Sequence, residues 1–167
     1  MSPLDPPDSH HLLAASGWLE LGCASDALAE LRSLSPGNLH HPDVLELQWL
    51  VQADLKDWSA ALETAVQLVE IAPRRPAGWL HRAYALRRVP EGGLQLAWDS
   101  LLPACEKFPK EPVIPYNLAC YACQMGQLAT SRKWLKRALR SDKNDAIRKM
   151  AMKDEDLEPL RGEIREL

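Results

Sequence analysis

Residues 76–109 read PAGWLHRAYALRRVPEGGLQLAWDSLLPACEKFP, in which two apolar segments flank the breaker Pro90-Glu-Gly-Gly. Pro76 suits the first position of a helix, because that position needs no backbone N–H donor. The breaker ends this helix, and the apolar periodicity from Leu94 onward favours a second one. The stretch therefore predicts a helix, a turn and a second helix, which Pro103 should kink near its middle.

The same arrangement recurs along the chain with a nearly constant period. Pro42, Pro76 and Pro112 each precede an apolar segment, and they are 34 and 36 residues apart. The matching turn of the middle unit is two residues longer, which accounts for the second spacing. The period predicts helix–turn–helix units. Their bounds are 8–41, 42–75, 76–111 and 112–144, after a flexible N-terminus at 1–7 and before capping helices at 145–167.

The two ends of this array are less regular than its middle. In the first unit, a helix from His10 to Leu21 should be followed by a shorter helix that Ser25 or Asp26 caps and that runs to Leu34. After residue 144 the pattern predicts a short helix at 145–152, a break, and a last amphipathic helix ending near Ile164. Such a tail would cover the open end of a stack of repeats.

A 34-residue period with two helices per unit resembles the tetratricopeptide repeat (TPR), with its pattern W-x2-L-G-x2-Y, A-x3-F and P. The third and fourth units match this pattern at Trp79, Ala83, Ala97, Leu101, Pro109, Leu118, Ala119, Gly126, Ser131, Leu135 and Ala138. In the second unit, Trp49 replaces a small residue, so it should push its neighbours outward or receive a small partner. The terminal repeat and tail are similar to those of bacterial TPR proteins.

The resemblance implies an all-α superhelical solenoid of about four helix pairs with a C-terminal capping helix. In TPR arrays the first helices line a concave groove for peptides, to which the first unit here would contribute Leu12, Ser16, Leu19 and Glu20, and the second unit Asp43 first. Such a groove would be acidic at one end, basic in the middle and polar-aromatic at the far end. The predicted partner-binding groove continues through Glu46, Leu50, Asp54, Leu80, His81, Tyr84, Arg87, Arg88, Tyr116, Asn117, Cys120, Cys123 and Gln124. The alternative for Arg87 and Arg88 is a solvated helix end.

The charge distribution bears on the partner. The net charge is −3, which argues against a nucleic-acid partner, and eleven acidic but four basic residues precede Pro76. The resemblance and the charge together indicate a non-catalytic protein-interaction module for a peptide of mixed charge with an apolar anchor. The alternative is a structural unit, a weak homo-oligomer in which the acidic N-terminal half meets the basic C-terminal half.

Signals for chemistry and targeting are weak. No signal peptide or membrane-spanning stretch is evident, so we expect a cytoplasmic protein without a membrane partner. Cys120 and Cys123 could be a redox or zinc pair, but their spacing also places two residues on one face of a helix. The basic run Arg132–Arg140 is the solvated face of the last repeat or, alternatively, an anion-binding stripe. With no phosphate loop or hydrolase motif, we expect no enzyme, metal or cofactor.

Overall fold

The computed structural model describes residues 3–167, and over them it contains helices joined by turns, without strands. The α-helices are α1 (Asp8–Glu20), α2 (Ala24–Leu31), α3 (Pro42–Asp54), α4 (Trp58–Ile71), α5 (Pro76–Leu86), α6 (Leu94–Leu101), α7 (Ala104–Lys107), α8 (Val113–Gln124), α9 (Leu128–Ser141) and α10 (Ala146–Ala151). Two 3-10 helices lie at Pro36–Asn38 and Glu155–Leu160. The predicted all-α class is confirmed. None of the described helices is both long enough and apolar enough to cross a membrane.

The chain divides into two compact units, unit 1 up to Val89 and unit 2 from Pro90 to Leu167. The division falls in the turn between α5 and α6, inside the predicted repeat 76–111. In unit 1, α1 packs on α2, α3 on α4, and α4 on α5. Because α1 also contacts α3, and α3 contacts α5, these three helices form one layer. The groove residues predicted in unit 1 belong to these three helices or, for Arg87 and Arg88, directly follow α5.

Small residues allow neighbouring helices to approach closely, both within a repeat and between successive repeats. Between α8 and α9, Ser131 is fully buried and its Oγ donates a 2.7 Å hydrogen bond to the carbonyl oxygen of Ala119. Between α4 and α5, a Cβ added to Gly78 would lie 3.1 Å from Leu68 Cγ and 3.2 Å from the backbone nitrogen of Val69. Side-chain volume at these positions would force the helices apart.

The turns occur where the period predicts them. Between α3 and α4, Lys56 has a φ of 59°, and between α8 and α9, Gly126 has a φ of 75°. A left-handed residue is the common way to end a helix, and glycine adopts it without strain. Asp57 then caps α4 by accepting a 3.2 Å hydrogen bond from the backbone N–H of Ala60.

Three local expectations differ from the structure. The helix α2 begins at Ala24 and ends at Leu31, with Cys23 as its N-cap residue and no side-chain cap. The predicted kink at Pro103 is a break between α6 and α7, because proline has no N–H to continue the helix and its ring crowds the preceding turn. The predicted last amphipathic helix is a 3-10 helix that contains Pro159 and is followed by turns.

The two ends of the chain pack onto their own units. Of the N-terminal segment 1–7, residues 1–2 lie outside the described residues, and Leu4 packs against the hydrophobic core of unit 1. In unit 2, the 3-10 helix packs on α8 and α9, and the side chains of Leu157, Leu160 and Ile164 are fully buried. Three buried aliphatic side chains stabilise this docking by about 5 kcal/mol or more.

Candidate functional site

An open groove of about 550 Å³ lies between α1 and α3, on the layer that these helices form with α5. It is lined by Ser9, Leu12, Leu13, Ser16, Asp43, Glu46, Leu47 and Leu50. Leu13 is 73% exposed and Leu50 is 44% exposed, although both side chains are large and apolar. Large apolar side chains exposed along an open groove are a feature of binding surfaces.

An ion-pair cluster forms the acidic edge of this groove. The Nη1 atom of Arg75 lies 2.5 Å from Oδ1 of Asp43 and 3.0 Å from Oε1 of Glu46. The hydrogen bond to Asp43, followed by that to Glu46, raises the pKa of Arg75 further. Arg75 immediately precedes α5, so the packing of α5 on α3 places it at the N-terminal ends of both helices.

An aromatic cluster lies between α3, α4 and α5. The rings of Trp49 and His81 stack with centroids 3.8 Å apart and planes 8° from parallel. Tyr84 meets Trp49 edge-on and Trp58 at a tilt, each with centroids 5.9 Å apart. The guanidinium of Arg88 lies 3.5 Å from the ring centroid of Tyr84 and 4.9 Å from that of Trp58, which are cation–π distances.

Trp49 fits into the helix stack because three alanines pack in its core cluster, in addition to the rings of His81 and Tyr84. It is 6% exposed and forms one core cluster with Ala61, Ala65 and Ala85. Of the two outcomes expected for a tryptophan at a small-residue position, the structure shows the small partner. The indole Nε1 of Trp49 is buried and has no hydrogen-bond partner among the described residues.

His81 is the group of unit 1 whose charge state the fold changes most clearly. Burial lowers the pKa of His81 from 6.5 to about 4. The imidazole is therefore neutral at pH 7, and it contributes a stacking surface rather than a charge to the aromatic cluster. A neutral ring also agrees with its close parallel contact with the indole of Trp49.

The other groove residues predicted in unit 1 occupy less central places. Asp54 is exposed at the last position of α3, and Leu80 and Arg87 are partly buried on α5 and just after it. The groove and the aromatic cluster also contain residues that sequence reasoning did not select: Ser9, Leu13, Leu47, Trp58 and Arg75. The repeat contained a signal for Arg75, because a residue just before Pro76 should lie near the residue just after Pro42.

In unit 2 three of the predicted groove residues are covered by the chain itself. Tyr116, Cys120 and Cys123 are buried, whereas an open peptide surface was expected. Asp154 accepts hydrogen bonds from the Tyr116 hydroxyl and, at 3.6 Å, from the Cys120 thiol. The tail takes the place that a further helix would have, so it packs against this face of α8.

The two remaining predicted residues of α8 contact nearby backbone. Gln124 is exposed, and its Nε2 donates to the carbonyl oxygen of Asp156 at 3.2 Å. Asn117 donates from Nδ2 to the carbonyl oxygen of Val113, one turn earlier in the same helix, at 2.9 Å. Both amides are therefore engaged within unit 2.

The cysteines of α8 have an environment that opposes redox or nucleophilic chemistry. Burial is the main cause that raises the pKa of Cys120 and of Cys123, so both are thiols at pH 7. Among the described residues, only Cys120, Asp154 and Asp156 bring three potential metal-binding atoms within 4.8 Å of one another. Structural zinc sites use four protein ligands, whereas three protein ligands leave the fourth position to water.

The comparisons with known proteins concern the fold. No protein-family model matches the sequence, and no curated protein matches it significantly. The structure is similar to the crystal structure of TTC0263, a thermophilic TPR protein in Thermus thermophilus. The TM-score is 0.73 at 20% sequence identity, and the match covers 95% of each chain. Together with the 34-residue period, this similarity shows that the chain has the fold of the TPR proteins.

Proposed function

We propose that this chain is a non-catalytic protein-interaction module that binds a peptide segment of a partner protein on the α1–α3–α5 layer of unit 1. The TPR fold supports an interaction or scaffold role in general. The observation that carries the proposal is the groove of α1 and α3 with its exposed leucines.

The aromatic cluster extends the same layer with a second kind of contact. Tyr84 is 37% exposed, and Arg88 lies over its ring. Exposed tyrosine and arginine are typical of the residues that contribute most to protein interfaces. A bound segment would therefore place an apolar side chain against Leu50 and contact the ring of Tyr84.

Panning a random dodecapeptide library against the immobilised full-length protein tests this proposal. The enriched peptides are expected to lose affinity at least tenfold for Leu50→Asp and for Tyr84→Ala, because a buried leucine contact contributes about 2 kcal/mol. Val66→Asp is the matched control, since Val66 is a similarly exposed apolar residue on α4, outside the layer. The proposal is wrong if the enriched peptides bind all three variants as well as the unaltered protein.

A further inference from the structure

We infer that the segment bound in the groove of unit 1 carries an arginine or lysine next to its apolar anchor, and that this cation takes the place of Arg75 on Asp43 and Glu46. The inference rests on the proposed function, which it deepens by naming the chemical class of the partner. Three features of unit 1 support it. They are the position between Asp43 and Glu46 that the guanidinium of Arg75 occupies, here called the seat, the accessibility of this position, and the charge of the surrounding helices.

The side chain of Arg75 shows that this position accepts a cation. One guanidinium nitrogen of Arg75 lies within hydrogen-bond distance of both carboxylates, so Asp43 and Glu46 converge on a single cationic position. A carboxylate pair in this geometry recognises guanidinium or ammonium groups and repels other carboxylates. Both acidic side chains also line the groove that contains the leucines. A cation and an apolar side chain on one short segment therefore meet complementary surfaces at once.

The seat is accessible, and its present occupant is held weakly. The side chains of Asp43, Glu46 and Arg75 are 48%, 32% and 38% exposed. Ion pairs with this much exposure to water are weak, so an incoming cation exchanges with Arg75 at little cost. Each carboxylate also has more acceptor positions than the one hydrogen bond it makes to Arg75, so a partner cation can approach before Arg75 leaves.

The surrounding charge favours the same class of partner. The chain has eleven acidic and four basic residues up to Arg75, and two of the four are Arg74 and Arg75 themselves. The helices α1 to α4 therefore produce a negative field over the groove, which attracts cationic segments and slows the approach of acidic ones. An acidic partner held by Arg75 would have to approach against Asp43 and Glu46.

The experiment measures the affinity of a fluorescein-labelled library peptide, selected as above, by fluorescence anisotropy with the full-length protein. Selected peptides are expected to be enriched in arginine or lysine. Glu46→Gln is expected to weaken binding about threefold, because it removes one exposed charge-assisted contact. Arg75→Gln is expected to tighten binding about threefold, because the resident competitor is removed. Glu70→Gln, an exposed neutralisation on α4, is the control and is expected to leave the affinity unchanged.

The direction of the Arg75→Gln effect decides between a basic and an acidic partner. Weaker binding to Arg75→Gln, or selected peptides without basic residues, overturns the inference. The proposed function then still stands if those peptides remain sensitive to Leu50→Asp, and it falls as well if they do not. Circular dichroism of each variant confirms folding, and Arg75→Lys, which keeps the charge, is expected to bind like the unaltered protein.

Discussion

Lowering the pH to about 4.5 is expected to destabilise unit 1 through His81. In the folded protein, burial lowers the pKa of His81 from 6.5 to about 4, whereas the unfolded chain keeps the ordinary value. Between these two values the unfolded state binds one more proton than the folded state, so the free energy of unfolding falls as the pH falls. The pKa difference corresponds to about 2.5 kcal/mol at pH 4.5. Attraction between the imidazolium and the indole of Trp49 offsets about 1 kcal/mol of this loss.

Urea unfolding at about pH 7.5 and pH 4.5, followed by tryptophan fluorescence and circular dichroism, measures the effect on the protein and on His81→Phe. The phenyl ring keeps the stack on Trp49 but cannot take up a proton. We expect the unaltered protein to lose about 1.5 kcal/mol more stability than the variant between these pH values. Equal losses in the two proteins would show that His81 is not buried as a neutral ring.

The carboxyl group of Asp8 titrates in a lower range and should do so alike in both proteins. Hydrogen bonds, first from the side chain of Asn38 and then from the backbone of Ser35, lower the pKa of Asp8 below its ordinary value of 3.8. The stability that Asp8 contributes is present above that value and is lost as the pH falls through its folded pKa. Keeping the measurement above pH 4 therefore separates the histidine from Asp8.

Four further substitutions test the approach of two helices, a left-handed turn and the docking of the tail. Gly78→Ala is expected to lower the free energy of unfolding, measured in urea, by about 1–3 kcal/mol, because the added Cβ would press on α4. Gly17→Ala, where the added Cβ meets open space, should raise it by about 0.5–1 kcal/mol. Equal effects of the two substitutions would refute the close approach of α4 and α5. Lys56→Gly is expected to raise the thermal midpoint by relieving a left-handed lysine, and a lower midpoint would contradict this. Leu160→Ala should loosen the tail and speed the modification of Cys120 by a thiol reagent about tenfold or more. Mass spectrometry of the labelled peptide measures this rate, and an unchanged rate would argue that the tail does not cover Cys120.

Much of the helix pattern followed from local sequence signals. Proline at the first helical position, a left-handed turn residue and the apolar period act within a few residues, so Pro42, Pro76 and Gly126 mark boundaries without knowledge of the fold. The errors arose where local signals compete. Ser25 and Asp26 are good capping residues, yet α2 begins one residue before Ser25. The sequence predicted a kink at Pro103, whereas the structure shows a complete break between α6 and α7.

The candidate site was predicted in part, because periodicity places residues on a face but does not show what covers that face. Leu50 and Glu46 line the groove of α1 and α3, and their role in binding stays a prediction. Cys120 is at the equivalent register, yet it is buried under residues more than thirty positions later in the chain. The sequence predicted a tail over the open end of the stack, but it did not indicate that the tail would bury Cys120 on the predicted groove face of α8.

The sequence by itself determined the helix-pair repeat, the TPR-like fold and the acidic character of the first half, since all three depend on spacing and composition. Only the tertiary structure decided which faces stay open. Contacts distant in sequence place Arg75 on Asp43 and Glu46, stack His81 on Trp49, and cover α8 with the tail. The physical reason is that the signals for helix boundaries lie within one or two turns of the chain, whereas burial, pKa and access depend on side chains that the fold brings together.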